Sequence, residues 1–223
     1  IFENLYESPL GEGVIGSEKT VSTLSRDFVK SYFESNYNPS KYIISAVGNF
    51  NIDEVSSYLE KAFVPKQVKH KLIPIKQKNA KTLESREGIE QANFIFAMHA
   101  PLANSKQKYA LEVLDAYLAN GMSSKLFLKI REEKGLAYTV RASLTTEKNH
   151  SYYSIYVGTT KSALKEVEKI ILREFSKSKD MSPKELKESK ERLIGLRQLS
   201  SEESVDVMND LLWAELIGKA EDY

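Results

Sequence analysis

Residues 120–140 read NGMSSKLFLKIREEKGLAYTV. Leu126, Phe127 and Ile130 recur at helical spacing after the Gly121-Met122 turn, which predicts a helix over 123–133 with Gly135 as its C-terminal stop. An aromatic strand is expected to begin at Ala137. Arg131 and Tyr138 stand seven apart on either side of that glycine. A helix that ends where a strand begins can bring its last turn and the strand start to one end of a sheet. These two side chains are therefore the first candidates for a shared task.

Working outward, strands are predicted at 137–146 and 152–158, joined by the turn EKNHS into an antiparallel hairpin. A helix over 162–175 follows, with Val167, Ile170 and Ile171 inward. Ser182, Pro183 and Glu185 supply cap, first-turn proline and capping-box partner for another helix. Upstream, QANFIFAMHAP alternates Phe94, Phe96 and Met98 with Ile95, Ala97 and His99, as a half-buried strand does. The helix expected over 105–118 carries Ala110, Leu114, Tyr117 and Leu118 on one side.

A smaller block precedes these elements. Ser25 caps a helix expected to reach Asn36, Leu24 and Val29 staple its start, and a strand over 42–47 is closed by Gly48. Asn51 and Glu54 form a capping box, after which Val55, Tyr58, Leu59, Ala62 and Phe63 draw one apolar face. Period is then lost across VPKQVKHKLIPIKQKNAKT, whose two prolines and many lysines read as a connector. The expected organisation is a block over 1–64, a linker over 65–83 and a second block over 84–223. The fold class is α+β, with antiparallel-rich sheets covered by helices on one face.

Charge and composition exclude several functions. Lys and Arg number 32 against 31 Asp and Glu, so a net charge of +1 provides no general field for nucleic acid or anionic lipid. The absence of cysteine removes disulfides and thiolate metal sites. No apolar run approaches the roughly 18 residues a spanning helix needs, so a soluble chain without a membrane span is expected. The compartment is not legible.

His70 falls in the linker, His99 at a strand end and His150 in a turn. None has a second ligand at the i, i+3 or i+4 spacing that puts two donors on one helical face, so this chain is expected to bind no metal by itself. His99 reads as a strand-edge histidine bonded to water or backbone. Ser123 and Ser124 lack a nucleophile elbow and read as helix-capping hydroxyls.

The stretches SPLGEGVIGSEKTVSTLSRDFVKSYFESNYNPSKYIISAVGNF and LANGMSSKLFLKIREEKGLAYTV, in that order, resemble the insulinase, pitrilysin and mitochondrial processing peptidase family of zinc endopeptidases. The closest pieces are Pro9-Leu10-Gly11, the segment from Tyr37-Asn38-Pro39 to Gly48, and Gly121 through Arg131 to Tyr138. The resemblance implies repeated α/β units that enclose a peptide-cutting chamber. Residues 1–64 would be the C-terminal part of a first, zinc-bearing unit, and 84–223 most of a second, zinc-free unit lacking its last elements. It implies zinc in an intact parent, held by an H-x-x-E-H motif that this chain does not contain, and a chain that is a fragment of that parent. Expected partners are a peptide substrate and other α/β units of the same protein or a partner subunit. In such units an arginine and a tyrosine at this separation hydrogen-bond the substrate near the scissile carbonyl, which assigns Arg131 and Tyr138 that role. A non-catalytic partner or scaffold subunit is the alternative.

Overall fold

The run SYYSIYVGTT builds the centre of the sheet, because its alternate residues Tyr153, Ile155 and Val157 are fully buried on one face. In the computed structural model, which describes residues 1–64, 73–218 and 220–222, this run is strand β3 (Ser151–Thr160). It lies between β1 (Gln91–His99) and β2 (Ala137–Thr146), antiparallel to both, in the order β1-β3-β2. Ile155 pairs with Phe96 on one side and Ala142 on the other. The predicted hairpin and the predicted alternation of β1 are both present.

Helices α5 (Gln107–Leu118) and α6 (Leu164–Lys177) cover the buried face. Val167, Ile170 and Ile171 of α6 point inward as expected, joining Leu111, Leu118, Leu126, Ile130, Val140 and the buried residues of β3 in one core. On α5 the inward face is rotated from the expected one: Leu111, Ala116 and Leu118 are buried while Ala110 is exposed. Helix α7 (Pro183–Ser200) packs on α5. Its predicted capping box forms, with Glu185 N donating to Ser182 Oγ at 3.3 Å and Ser182 N donating to Glu185 Oε2 at 2.9 Å. The opposite face of the sheet carries Ile95, Tyr138 and Arg141, all exposed.

Contacts divide the chain into two compact units, Ile1–Gly11 with Ile75–Ser200, and Glu12–Pro74 with Ser201–Tyr223. This partition differs from the division drawn along the sequence. Part of the expected linker is responsible, since residues 76–80 pair with the start of the chain. Glu7 N donates to Lys76 O, Lys78 N to Leu5 O and Ala80 N to Asn4 O, around a Tyr6–Gln77 bridge. Helix α1 (Phe2–Leu5) leads into that pairing, and the buried Tyr6 hydroxyl donates to Ser151 O. Satisfied backbone groups and a buried phenol make this stretch part of the structure and not a connector. Residues 65–72 of the expected linker, His70 among them, lie outside the described residues.

In the second unit α2 (Glu18–Ser22), α3 (Arg26–Asn36), α4 (Ile52–Ala62) and α8 (Ser204–Leu216) form. Ser25 accepts from Phe28 N, and Asn51 accepts from both Asp53 N and Glu54 N, so both N-caps form, while the return bond from the Glu54 side chain expected of a capping box is absent among the described residues. The strand expected over 42–47 is absent. Extended backbone becomes a strand only through a partner ladder, and none of the described residues pairs with this segment. The apolar faces of α3 and α4 form but stay open, with Phe28, Tyr32, Phe33 and Tyr58 exposed. In this unit the amphipathic pattern fixes helix positions without burying their stripes.

Candidate functional site

The passage from Ser124 to Tyr138 is fixed at both ends. At its start Lys125 Nζ lies 2.7 Å from Glu185 Oε1 and 5.3 Å from the centre of the Tyr117 ring. Lys125, reinforced by the Ser182 amide and hydroxyl, draws the Glu185 carboxyl down to about 2. The helix that follows differs from the regular one expected over 123–133, because residues Phe127–Glu132 wind as a π-helix. Glu133 N donates to Leu128 O at 2.8 Å, five residues back, which accommodates one extra residue in the turn. Leu126 and Ile130 stay fully buried. Leu136 N then donates to Ile130 O, and Gly135 adopts φ +60°, the left-handed conformation that lets the chain leave the helix and enter β2 at once. Ser124 does not cap the helix through its side chain: its Oγ is buried without a partner among the described residues.

Arg131 lies within the π-helical turn. Its Cζ sits 4.9 Å from the centre of the Phe127 ring, and its Nε is 3.7 Å from Glu132 Oε1, with the side chain 47% exposed. Tyr138 is 52% exposed on the open face of the sheet, and its hydroxyl makes no hydrogen bond among the described residues. A β-bulge between Ala137 and Thr139 decides that placement. It lets Ala137 and Val140, three apart, both face the core, while Tyr138 and Arg141 face outward. No hydrogen bond or ion pair links Arg131 to Tyr138. The turn places them in one short helix-to-strand passage, and each keeps its own neighbours.

Beneath this passage lies a half-buried carboxylate that the sequence reading missed. Asp115, on α5, accepts from the Tyr153 hydroxyl at 3.0 Å and from Asn120 Nδ2 at 3.2 Å. Arg192 Nη1 on α7 donates to the carbonyls of Ala116 and Asn120 at 2.6 and 3.2 Å, neutralising the C-terminal end of α5. Together these bonds hold the residues that start the 120–140 stretch. An aspartate four residues before a turn gives no sequence sign of its burial, since one of its two partners, Tyr153, comes from 38 residues away on β3.

Burial pushes the Asp115 carboxyl up, only partly offset by the Tyr153 and Asn120 donors. The folded chain therefore holds that proton more tightly than the unfolded chain. The stability this gives is present in acid and is lost as pH rises through the raised value. Tyr153→Phe removes a donor to the anion, so it should cost about 1 to 3 kcal/mol at neutral pH. The loss should shrink near about pH 4, where more of the carboxyl is protonated. Urea denaturation at the two pH values measures the difference, and an equal loss at both would show that Asp115 does not sense the phenol.

His99 Nε2 donates to Lys78 O at 3.1 Å, as a strand-edge histidine bonded to backbone does, and His150 Nδ1 meets Asn149 Oδ1 at 3.0 Å. The two rings flank Tyr6 at centroid distances of 5.3 and 5.6 Å. Among the described residues there is no group of three His, Asp or Glu side chains that could hold a metal ion. These residues do not fit a zinc site. Among the described residues no helix is long and apolar enough to cross a membrane.

Comparison with known proteins bears on the whole chain. Residues 23–193 match the family model described as the Peptidase M16 inactive domain. The uncharacterized zinc protease YmxG of Bacillus subtilis is 29% identical over 204 residues, covering 90% of this chain and 50% of that protein. An uncharacterized zinc protease of Rickettsia felis is 29% identical over 185 residues, covering 79% of this chain and 45% of its own length. The chain thus spans about half the length of the curated relatives it matches. A protease from Helicobacter pylori superposes with a TM-score of 0.82 at 21% identity, over 99% of this chain and 56% of that one. The peptidase M16 inactive domain from Pseudomonas fluorescens superposes with a TM-score of 0.84 at 18% identity, over 98% and 54%. The α+β fold is shared with both. With most of its length matched by the family model, this chain belongs to the M16 family, the insulinase-like zinc peptidases.

Proposed function

We propose that the chain is part of a zinc-dependent endopeptidase, in which it supplies chamber wall and peptide contacts and another unit supplies the metal. Residues 1–64 are the end of that zinc-bearing unit, and 84–223 form most of the zinc-free unit. Arg131 and Tyr138 contact the peptide beside the scissile carbonyl. Arginine offers a fixed fork of N–H donors and tyrosine a phenolic donor, which suits an oxygen that gains negative charge. The observation that supports this most is the Tyr138 hydroxyl, held on an open sheet face by a bulge and left without a hydrogen-bond partner among the described residues. Arg131 must exchange a half-exposed glutamate for substrate, a modest cost because exposed ion pairs contribute little.

A second reading, a non-catalytic partner or scaffold subunit, is favoured by the description of the matched model as an inactive domain. Assembling the chain with its zinc-bearing unit and following hydrolysis of fluorogenic peptides separates the two. The first reading predicts turnover that needs both this chain and the metal. Equal turnover by the zinc-bearing unit alone would favour the scaffold.

A further inference from the structure

Gly158 stands in the middle of the site on β3, opposite Asn93 of β1 and Thr139 of β2. Its backbone does not need glycine, since its φ lies outside the left-handed region in which six other glycines of the described chain are found. Glycine without such a need weakens a strand, and within one it marks a close approach. What approaches is the candidate phenol. A Cβ built at Gly158 would lie 3.0 Å from Tyr138 Cε2, 3.3 Å from Gln91 Nε2 and 3.5 Å from the Tyr156 hydroxyl oxygen. The back of this notch is itself fixed, because Tyr156 donates to Asn93 Oδ1 at 2.7 Å and Gln91 Nε2 donates to the same oxygen at 3.3 Å.

We propose that Gly158 is a positioning residue for Tyr138: the missing side chain leaves a notch on β3 in which the Tyr138 ring rests, and that seat sets where its hydroxyl points. The proposal rests on the reading of Tyr138 as a peptide contact. Because the ring is half exposed, it can yield by a few tenths of an ångström to a methyl group, and the fold tolerates the change. The hydroxyl, at the far end of the ring, moves with it. A displacement of that kind lowers turnover well beyond its effect on binding.

The test is Gly158→Ala, with Gly158→Ser as a larger step, alone and combined with Tyr138→Phe in the assembled peptidase. Gly158→Ala should lower kcat by roughly 3- to 30-fold with little change in KM, leave the folding midpoint unchanged or raised, and add nothing to the loss in Tyr138→Phe. Losses that multiply in the double variant would overturn the proposal, as would normal kcat in Gly158→Ala beside an impaired Tyr138→Phe. If Tyr138→Phe is itself silent, the contact reading falls. A second readout then decides the seat alone: the ring carbon resonances of 13C-labelled Tyr138 in the 223-residue chain, assigned by their loss in Tyr138→Phe. They should shift in Gly158→Ala, and unchanged positions would overturn the proposal.

Discussion

Tyr138→Phe should cut kcat of the assembled peptidase by roughly 30- to 1000-fold, the rate equivalent of about 2 to 4 kcal/mol of lost transition-state stabilisation. The substitution deletes one hydroxyl and keeps the ring that rests over Gly158. That hydroxyl has no partner among the described residues, so its removal leaves no buried group unsatisfied. The folding midpoint should therefore stay within experimental error, and KM should change far less than kcat, because the lost donor acts when the carbonyl oxygen gains charge. Zinc content of the assembled protein should also be unchanged, since no group of His, Asp or Glu side chains among the described residues could hold a metal ion. Normal turnover in both Tyr138→Phe and Arg131→Lys would return these residues to a purely structural role.

The largest effect on stability is expected at Ile155. Its side chain is fully buried at the centre of β3, between Phe96 and Ala142 on the neighbouring strands and beneath α5 and α6. Ile155→Ala removes three buried carbons and leaves a cavity that the flanking strands cannot close, which should cost about 2 to 5 kcal/mol. Ile95 is the matched control. It lies on β1 opposite Tyr156 and is 47% exposed on the other face of the same sheet. Ile95→Ala should change stability by less than about 0.5 kcal/mol. Urea midpoints of the two variants thus report which face of the sheet is covered, and similar losses at both positions would contradict the one-sided core.

The legible parts of this fold are those governed by short-range rules. Ser25, Asn51 and Ser182 were readable as caps because a capping bond closes within three residues, and each forms. The first strand was readable because Phe94, Phe96 and Met98 keep a period of two, and the hairpin because the turn EKNHS separates its two strands. The failures share a different cause. Residues 42–47 carry strand-forming side chains, but a strand also needs a distant partner, which local pattern does not report. The pairing of residues 76–80 with Asn4–Glu7 is equally non-local and overrode the linker composition.

At the candidate site, Arg131 and Tyr138 were found through their spacing and the family resemblance, while their surroundings were not. The π-helical turn and the bulge each insert a residue into a regular repeat. Both follow from how Ile130, Ala137 and Val140 reach one core, a three-dimensional requirement that helical spacing cannot encode. Gly158 was legible only as the last residue of the strand expected over 152–158; the strand runs on to Thr160, which makes the glycine an internal one, the usual mark of a bulge or a close approach. Asp115 left no trace.

The central claim is that Tyr138 acts on the reacting carbonyl and not on the peptide at large. Its most direct test is the affinity of the assembled peptidase for a peptide bearing a tetrahedral phosphinate in place of the scissile carbonyl, measured in the wild type and in Tyr138→Phe. The account predicts that the variant binds this analogue roughly 30- to 1000-fold more weakly while binding the unmodified peptide as before. Equal affinity of the two proteins for the phosphinate would contradict it.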